Sequence, residues 1–418
     1  MDCSELKHSR YRYSGALVLV FVAGVWAASA QSGDGRQTQV PGSPTRVSHG
    51  AVARDRDSAS AGFAVRQWRT AGVEVPRFVV EPGWPKPGPR SWVTDRLVTE
   101  EMGATCTDAK GHVVSLNRGN MLPIEKQLTL NAAPPIIEFD PSGAVVKAWG
   151  DRSVLPEGLH GCLFDHENNF WLGGSGDGIV QKWTRDGSRM LLQIGTKGKC
   201  DGPDGKCGNP GLNASRTLLN QPADIAVEPT SGDVYIADGY GNHRIVVFDR
   251  NGQYLRQWGS AGTGPGQFSP PDGGHPHCVV FNRGLLYVCD RGNARIQVFD
   301  RMGDLKEIIE VKPGSGVFGS SSDLDFSPDG RFMYINDHGN SVLWMYEMAS
   351  RKIVGGFGRA GHAPGEWTSF HSLAVDPMGN IYTSEVTGRR VQKFVQKGTV
   401  RPDRLSTFLN RPHYDAVP

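Results

Sequence analysis

The sequence predicts an all-β protein, a six-bladed β-propeller, and three observations lead to that fold class. Turn-forming residues are abundant, since Gly and Pro contribute 54 and 27 of the 418 residues. The apolar residues, 38% of the chain with Tyr and Cys included, fall in short runs bounded by these turn residues, as in proteins built of many strands. A unit of roughly 45 to 60 residues recurs six times, which is typical of propeller blades.

The two clearest copies of the unit span residues 222–252 and 276–303. Each contains a strand, a turn, a β-rich strand ending in Asp, a Gly/Asn turn, a strand ending in an aromatic residue and a last strand. Weaker copies follow at 321–343 and 370–394, and two more begin at Gly103 and Leu159. Four strands per unit make one blade, and a closed ring of six protects the strand edges. A pair of β-sandwiches is the alternative, but it does not explain the fixed repeat.

The N-terminal region has the pattern of a secretory signal peptide over residues 1–30. Basic residues precede an apolar stretch at 16–26, and Ala28-Ser29-Ala30 provides a cleavage site. We expect cleavage after Ala30 and export to the periplasm or the extracellular space; an uncleaved N-terminal anchor is the alternative. Residues 31–77 are predicted to be a disordered linker and lead-in, residues 78–396 the propeller, and residues 397–418 a C-terminal tail.

The charge and the cysteine content of the chain indicate which kinds of partner and which cellular compartment to expect. The net charge of +2 without any block of like charge argues against a nucleic-acid partner. No apolar window is long enough to span a bilayer. We expect a monomer that binds a small molecule or a peptide in its central channel.

The cysteines indicate an oxidising compartment. Without Cys3, which belongs to the predicted signal peptide, six cysteines remain, an even number that suits disulfides. Cys200 and Cys207 bracket a turn-rich loop, and Cys278 and Cys289 would face each other across a hairpin; the remaining pairing stays open.

Histidines occur at one register position in every second unit. In a propeller the first strand of each blade lines the channel, so equivalent positions lie at one height around the axis. This position holds, in chain order, Gly103, His160, Ala223, His277, Ser322 and His371. Three imidazoles in alternate blades of a six-membered ring form a triangle, a ligand set for catalytic zinc with one position open. The alternative is that each is a channel-lining residue hydrogen-bonded to water.

Three polar residues follow the second strand of their blades and should lie on the rim above the histidines: Arg118, Tyr240 and Arg291. A phenol becomes a usable base or acid only where cations favour its phenolate, and two arginines with a metal ion would supply that field. The alternatives are that Tyr240 only caps the turn at 238–242 and that Arg291 pairs with Asp290 or with a neighbouring blade.

The repeats resemble the NHL-repeat propellers and, within them, the peptidyl-α-hydroxyglycine α-amidating lyases and their bacterial secreted relatives. The resemblance covers about residues 95–396, and its most specific segments are QPADIAVEP at 221–229, VYIADGYGNHRIVVF at 234–248 and GQF at 266–268.

This resemblance implies a six-bladed propeller that cleaves a carbinolamide N–C bond to give an amide and glyoxylate. It implies zinc held by His160, His277 and His371, proton transfer by Tyr240, and binding of the substrate carboxylate or developing charge by Arg118 and Arg291. The family also has an aspartate after the third histidine that helps bind calcium, whereas Ser372 follows His371 here, which argues against calcium. Two other functions stay open: a non-catalytic propeller that binds a protein or glycan, and a metal-dependent hydrolase or lactonase.

Overall fold

The computed structural model describes residues 63–64, 67–69, 73–94, 96–119, 131–208, 210–270, 275–311 and 320–397. The predicted signal peptide, residues 31–62 of the predicted linker and residues 398–418 of the predicted tail lie outside the described residues. Within the described ranges no helix is long and apolar enough to cross a membrane.

The described residues contain 28 strands, one short helix α1 (Arg90–Thr94) and a 3₁₀ turn at Arg291–Asn293. The first fourteen strands are β1 (Phe63–Ala64), β2 (Gln67–Arg69), β3 (Arg77–Val80), β4 (Leu97–Val98), β5 (Met102–Thr107), β6 (Val113–Asn117), β7 (Asn131–Ala132), β8 (Ile136–Phe139), β9 (Val145–Trp149), β10 (Leu159–Phe164), β11 (Phe170–Gly174), β12 (Val180–Trp183), β13 (Met190–Ile194) and β14 (Asp224–Val227). The others are β15 (Val234–Asp238), β16 (Arg244–Phe248), β17 (Tyr254–Trp258), β18 (Val279–Asn282), β19 (Leu285–Asp290), β20 (Arg295–Asp300), β21 (Leu305–Glu310), β22 (Ser321–Phe326), β23 (Phe332–Asp337), β24 (Val342–Glu347), β25 (Lys352–Phe357), β26 (Phe370–Val375), β27 (Ile381–Glu385) and β28 (Arg390–Lys397).

The strands form six antiparallel sheets, which confirms the predicted six-bladed propeller. Blade 1 has the order β5-β6-β8-β9, and blades 2, 3 and 4 are β10 to β13, β14 to β17 and β18 to β21. Blade 5 runs from β22 to β25 with β2 added outside β25, and blade 6 has the order β26-β27-β28-β3-β1. A separate parallel pair joins β4 to β7. The first strand of each four-stranded unit lies nearest the axis, so equivalent residues of the repeats meet in the channel.

The core lies between the faces of successive blades. The second strand of a blade is buried at nearly every position because a neighbouring sheet covers each of its faces, as β15 and β23 illustrate. The fourth strand is mostly half-buried, as in β9 and β17. Burial therefore decreases from the inner strands to the outer strand of each blade.

In blades 1, 3 and 4 the turn between the third and fourth strands is built from an aspartate and a glycine. In blade 3, Asp249 accepts the backbone N–H groups of Asn251 and Gln253 at 2.8 Å each, while Gly252 takes a left-handed φ of 81° and donates to the Asp249 carbonyl. The side-chain carboxylate thus accepts backbone N–H groups of the turn that have no partner on a neighbouring strand. The repeated Asp-x-x-Gly pattern thus sets the register of the outer hairpins.

In blades 3, 4 and 6 an acid and an arginine five or six residues later hold the blade to the loop that precedes it. Asp238 at the end of β15 accepts Nε of Arg244 at 2.9 Å, and Arg244 also donates to the carbonyls of Ser215 and Leu218. Blades 4 and 6 repeat this ion pair with Asp290 and Glu385, respectively, as the acids. The repeated motif is therefore structural, because the buried guanidinium satisfies carbonyl groups that have no strand partner.

The N-terminal segment closes the ring. Strand β3 pairs with β28 as the outer strand of blade 6, with Val80 opposite Phe394 and Val79 opposite Val395. The propeller boundary expected at residue 78 falls inside β3, and β1 and β2 lie within the range predicted as linker and lead-in. The described strands thus begin before that boundary, because this segment finds edge partners on blades 5 and 6.

All six described cysteines are paired. The bridges Cys200–Cys207 and Cys278–Cys289 agree with the pairs favoured from the sequence. The third bridge, Cys106–Cys162, was left open by the sequence. It links the innermost strands of blades 1 and 2, which lie side by side in the ring.

Candidate functional site

The central channel is lined by the first strands of all six blades. The six register positions identified in the sequence all face it: Gly103, His160, Ala223, His277, Ser322 and His371. The register of the repeats therefore places the three histidines in blades 2, 4 and 6, with small residues between them.

The three histidines come together on the axis. Their candidate ligand atoms all lie within 4.8 Å of one another, and the centroids of each pair of rings are 4.5 to 5.0 Å apart. Each side chain is buried, at 3% exposure. Among the described residues this is the one group of three or more His, Cys, Asp or Glu side chains arranged to hold a metal ion.

Backbone carbonyls fix the tautomer of each histidine. Nδ1 of His160 donates to the Ala223 carbonyl at 2.7 Å, Nδ1 of His277 to Ser322 at 2.5 Å, and Nδ1 of His371 to Gly103 at 2.6 Å. A carbonyl only accepts, so the proton lies on Nδ1 and the lone pair on Nε2. The carbonyl groups of the intervening blades thus orient the histidines of their neighbours.

Burial keeps these histidines neutral. It is the largest effect and lowers the pKa of all three imidazoles well below the ordinary value. The charges of Arg118 and Arg291 lower the pKa of His160 further, and the neighbouring imidazoles act in the same direction on His277 and His371. Neutral imidazole is the form that binds a metal ion.

Tyr240 lies against the triad. Its hydroxyl is 2.9 Å from Nε2 of His160 and 3.1 Å from Nε2 of His277. One phenol proton cannot satisfy two lone pairs at once, and the third imidazole adds another. The site therefore has more Nε2 lone pairs than protons, and a cation on the axis could bind these lone pairs.

The loop that carries Tyr240 is held by the segment before blade 3. The backbone N–H of Tyr240 donates to the Gln221 carbonyl at 3.1 Å, and that of Gly241 donates to Asn220 at 2.9 Å. Asn220 in turn donates its own backbone N–H to the Asp238 carboxylate at 2.7 Å. The tyrosine is thus positioned by backbone hydrogen bonds two residues beyond the end of β15.

The two arginines lie on the same rim but in different surroundings. Arg118 donates Nε to the Leu159 carbonyl at 3.0 Å and lies 3.5 Å from the Glu101 carboxylate. Arg291 is 4% exposed, its guanidinium carbon is 6.0 Å from the Tyr240 ring, and no carboxylate of the described residues lies within 4.0 Å of it. Burial lowers the pKa of Arg291, and its hydrogen bond to Tyr240 opposes that shift.

Two rim residues were missed by the sequence analysis. His338 follows β23 as Arg291 follows β19, and its ring lies 6.2 Å from that of His371. Burial and the charge of Arg291 lower the pKa of His338 to about 4. Ser320 precedes β22 and is fully buried. Alignment of Asp337-His338-Gly339 under Asp290-Arg291-Gly292 could have identified His338, but the divergent blade 5 obscured that signal.

Carboxylates line the channel beyond the triad. Asp224 and Asp323 directly follow the small residues Ala223 and Ser322, and each accepts a backbone N–H of a neighbouring blade. Burial and the charge of Asp323 raise the pKa of Asp224 well above its ordinary value, and burial raises the pKa of Asp323 to about 7. Neither residue was singled out as a site residue from the sequence.

The chain matches known proteins along most of the propeller. Residues 219–248 and 274–299 match the NHL repeat. Human NHL repeat-containing protein 3 is 28% identical over 353 residues, which span 81% of this chain and 89% of that protein. Peptidyl-alpha-hydroxyglycine alpha-amidating lyase 2 of Drosophila melanogaster is 25% identical over 328 residues, 73% of this chain and 74% of the lyase. Peptidyl-glycine alpha-amidating monooxygenase B of Xenopus laevis is 27% identical over 72% of this chain but only 35% of its own length.

The architecture and the matches agree with the resemblance noted in the sequence. Neither the six-bladed architecture nor the sequence matches depend on the three histidines, which the register of the repeats identifies by itself. This chain is a six-bladed β-propeller that contains NHL-repeat matches, and it is similar both to NHL repeat-containing protein 3 and to the α-amidating lyases.

Proposed function

We propose that the protein is an exported, zinc-dependent lyase that cleaves an N-acyl-α-hydroxyglycine into an amide and glyoxylate. The observation that carries the proposal is the cluster of three buried imidazoles, two of which have Nε2 within 3.1 Å of the Tyr240 hydroxyl, beside a buried arginine. The similarity to α-amidating lyases supports the reaction type. NHL repeat-containing protein 3 matches over a larger share of the chain, so activity requires a direct test.

The donor set fits zinc. Three neutral imidazoles with one side open to a channel are a usual catalytic zinc environment, and each imidazole has the carbonyl partner that such ligands require. His160, His277 and His371 would hold the ion. When bound, it would supply a Lewis acid that polarises an oxygen of the substrate.

The rim residues supply the rest of the chemistry. Tyr240, as phenolate, takes the proton from the substrate hydroxyl, and that O–H electron pair forms the aldehyde C=O of glyoxylate. The C–N bond breaks, its electron pair goes to the amide nitrogen, and this nitrogen takes the proton from Tyr240, which returns to the phenolate. The hydrogen bond from Arg291 stabilises negative charge on the phenol oxygen, and Arg118 adds a second cation whose charge acts on both His160 and Arg291.

The disulfides support the proposed export. Three bridges account for all six cysteines in the described residues, and such bridges persist in oxidising compartments. The proposed signal peptide at residues 1–30 fits this location. N-terminal sequencing of the secreted protein should give Gln31 as the first residue.

Metal content and product release test the proposal together. We expect about one zinc per chain in the purified protein, and glyoxylate release from a peptide that ends in α-hydroxyglycine. The variants His160→Ala, His277→Ala and His371→Ala should each lose most of the bound zinc, because two imidazoles are a poor zinc site. His362→Ala, which changes an exposed histidine, is the matched control and should keep the metal.

The outcomes separate the alternatives. A zinc-loaded protein that releases no glyoxylate but hydrolyses an ester or lactone would be a hydrolase. A protein without metal and without turnover would be a binding propeller. Full zinc content in all three triad variants would contradict the metal site itself.

A further inference from the structure

The turn that follows the second strand of a blade is held by the segment that precedes the first strand. In blades 1, 2, 3, 5 and 6 a backbone N–H of this turn donates to a backbone carbonyl of that segment, as Tyr240 does to Gln221 at 3.1 Å. In blade 4, whose turn carries Arg291, the backbone N–H of Gly292 donates instead to Nδ1 of the His275 side chain at 2.9 Å. A side chain thus provides the acceptor that the other blades take from the backbone.

The His275 imidazole is buried against the turn that carries Arg291. Its exposed fraction is 4%, and a Cβ atom added at Gly292 would lie 2.8 Å from its Nε2. A backbone N–H only donates, so Nδ1 of His275 carries the lone pair and Nε2 carries the proton. This tautomer is the opposite of that of the three triad histidines, which donate from Nδ1. His275 therefore serves as a hydrogen-bond acceptor and is not a fourth member of the triad.

The backbone of His275 contacts the turn of the neighbouring blade, which carries Tyr240. Its N–H donates to the Gly239 carbonyl at 2.7 Å, and a Cβ atom at Gly239 would lie 1.9 Å from the Pro276 carbonyl oxygen. The residue after Pro276 is His277, the candidate metal ligand of blade 4. His275 and the two residues after it therefore connect both turns to the axis of the channel.

We propose that His275 is a positioning residue, which keeps Tyr240 and Arg291 aligned across the boundary between blades 3 and 4. Its backbone N–H holds the turn of Tyr240, and its imidazole holds the turn of Arg291, whose guanidinium carbon lies 6.0 Å from the Tyr240 ring. The hydrogen bond between Arg291 and Tyr240 is directional, so it depends on the orientation of both turns. The inference rests on the proposed function for the reaction that measures it, but not for the hydrogen bonds themselves.

Two substitutions of His275 separate the acceptor from the volume of the ring. In His275→Asn the amide Oδ1 lies near the former position of Nδ1 and still accepts the Gly292 N–H, whereas His275→Leu fills the space without an acceptor. We expect glyoxylate release to fall on the order of 10-fold in His275→Leu and to stay within about 3-fold of wild type in His275→Asn. His362→Leu, at an exposed position, is the matched control and should turn over like the wild type.

A second comparison tests whether His275 acts through Arg291. In the Arg291→Gln background, His275→Leu should cause less than about a 2-fold further loss, because the group that it positions is already absent. A residue that only stabilised the fold would lower turnover equally in both backgrounds. Zinc content and circular dichroism should match the wild type in every variant, and His275→Ala replaces His275→Leu if the latter does not fold.

Nitrogen NMR of the isotopically labelled protein tests the hydrogen bond without turnover. Nδ1 of His275, assigned from the signal that His275→Asn lacks, should show the resonance of an unprotonated nitrogen. The Gly292 amide resonance should shift more in His275→Leu than in His275→Asn.

The outcomes separate the positioning role from the reaction. A protonated Nδ1, wild-type turnover in His275→Leu, equal losses in His275→Leu and His275→Asn, or an undiminished loss in the Arg291→Gln background would overturn the positioning role. A zinc-loaded protein that shows the expected NMR signals but releases no glyoxylate would overturn only the proposed lyase reaction.

Discussion

Small side chains between the histidines are as necessary to the site as the histidines. At Gly103 a Cβ atom would lie 1.9 Å from the Leu159 carbonyl oxygen, which is the oxygen that accepts Nε of Arg118. The carbonyl of Gly103 itself accepts Nδ1 of His371. A side chain at this position would therefore displace both His371 and Arg118, so glycine is required here by close approach.

Substitution of Tyr240 by Phe separates a catalytic tyrosine from a structural one. The change keeps the ring and its packing, and the loop is held by backbone bonds, so stability and zinc content should stay near wild type. Glyoxylate release should fall by a factor on the order of 10² or more, as on loss of a positioned acid–base group. Turnover, thermal unfolding and metal content are measured on the same samples.

Tyr254→Phe is the control for this experiment, because Tyr254 lies on the outer strand β17, away from the channel. It should leave turnover unchanged. If Tyr240→Phe turned over like the wild type, Tyr240 would have no part in the mechanism, although the zinc site would stand.

Neighbouring blades are joined by ion networks as well as by apolar faces. Arg185, which follows β12 in blade 2, reaches Asp108 and Glu138 of blade 1 at 2.7 Å each, and His112 lies 2.7 Å from Glu138. Burial alone would raise the pKa of Glu138, but the hydrogen bonds from Arg185 and His112 outweigh it and lower the pKa below 4.5. The network therefore stabilises the contact between blades when Glu138 is ionised.

Glu138→Gln should change the pH dependence of stability. Because the folded-state pKa lies below the unfolded one, ionised Glu138 contributes stability above about pH 4.5, and this is lost as pH falls through the folded pKa. The variant should be less stable by about 1–3 kcal/mol at pH 7, and this difference should shrink with acidification. Denaturant unfolding from pH 7 to pH 3 measures it.

Glu157→Gln, at an exposed position, should follow the wild-type profile throughout. A constant difference between Glu138→Gln and the wild type at every pH would mean that packing, not ionisation, accounts for the loss.

At the scale of the whole molecule, the ring is closed by a contact between its two ends. Strand β3 completes blade 6 more than 300 residues away in sequence from β28, its partner. Phe78 of β3 packs against Tyr334 and Phe357, with ring centroids 5.7 and 5.5 Å apart. Closure therefore depends on a short strand with a large apolar side chain.

Phe78→Ala should destabilise the entire propeller. Removal of a fully buried aromatic side chain costs about 3–5 kcal/mol, and here the cavity would form where the ring closes. Arg77→Ala changes the exposed neighbour on the same strand and should stay within about 0.5 kcal/mol of wild type. Chemical denaturation compares the two, and equal effects would show that side-chain packing of β3 does not contribute to closure.

The sequence was most informative where the repeat is local. The register of the inner strands predicted the six blades and brought His160, His277 and His371 to one height, because strand periodicity within a unit needs no knowledge of distant contacts. The pairing of β3 with β28 and the bridge Cys106–Cys162 were not predicted, since both depend on contacts between different repeats. His338 was missed because its blade is one of the weaker copies of the repeat and no other blade has a histidine at this position.

The alternation of ligands and carbonyl partners has a consequence for local fluctuations. Histidines from blades 2, 4 and 6 donate to carbonyls of blades 3, 5 and 1, so each contact bridges a different pair of neighbouring blades. Separation of any one of these pairs would disturb the orientation of one ligand. An ion bound to the triad would then oppose the opening of single blades, and slow amide hydrogen exchange along all six inner strands would accompany its binding.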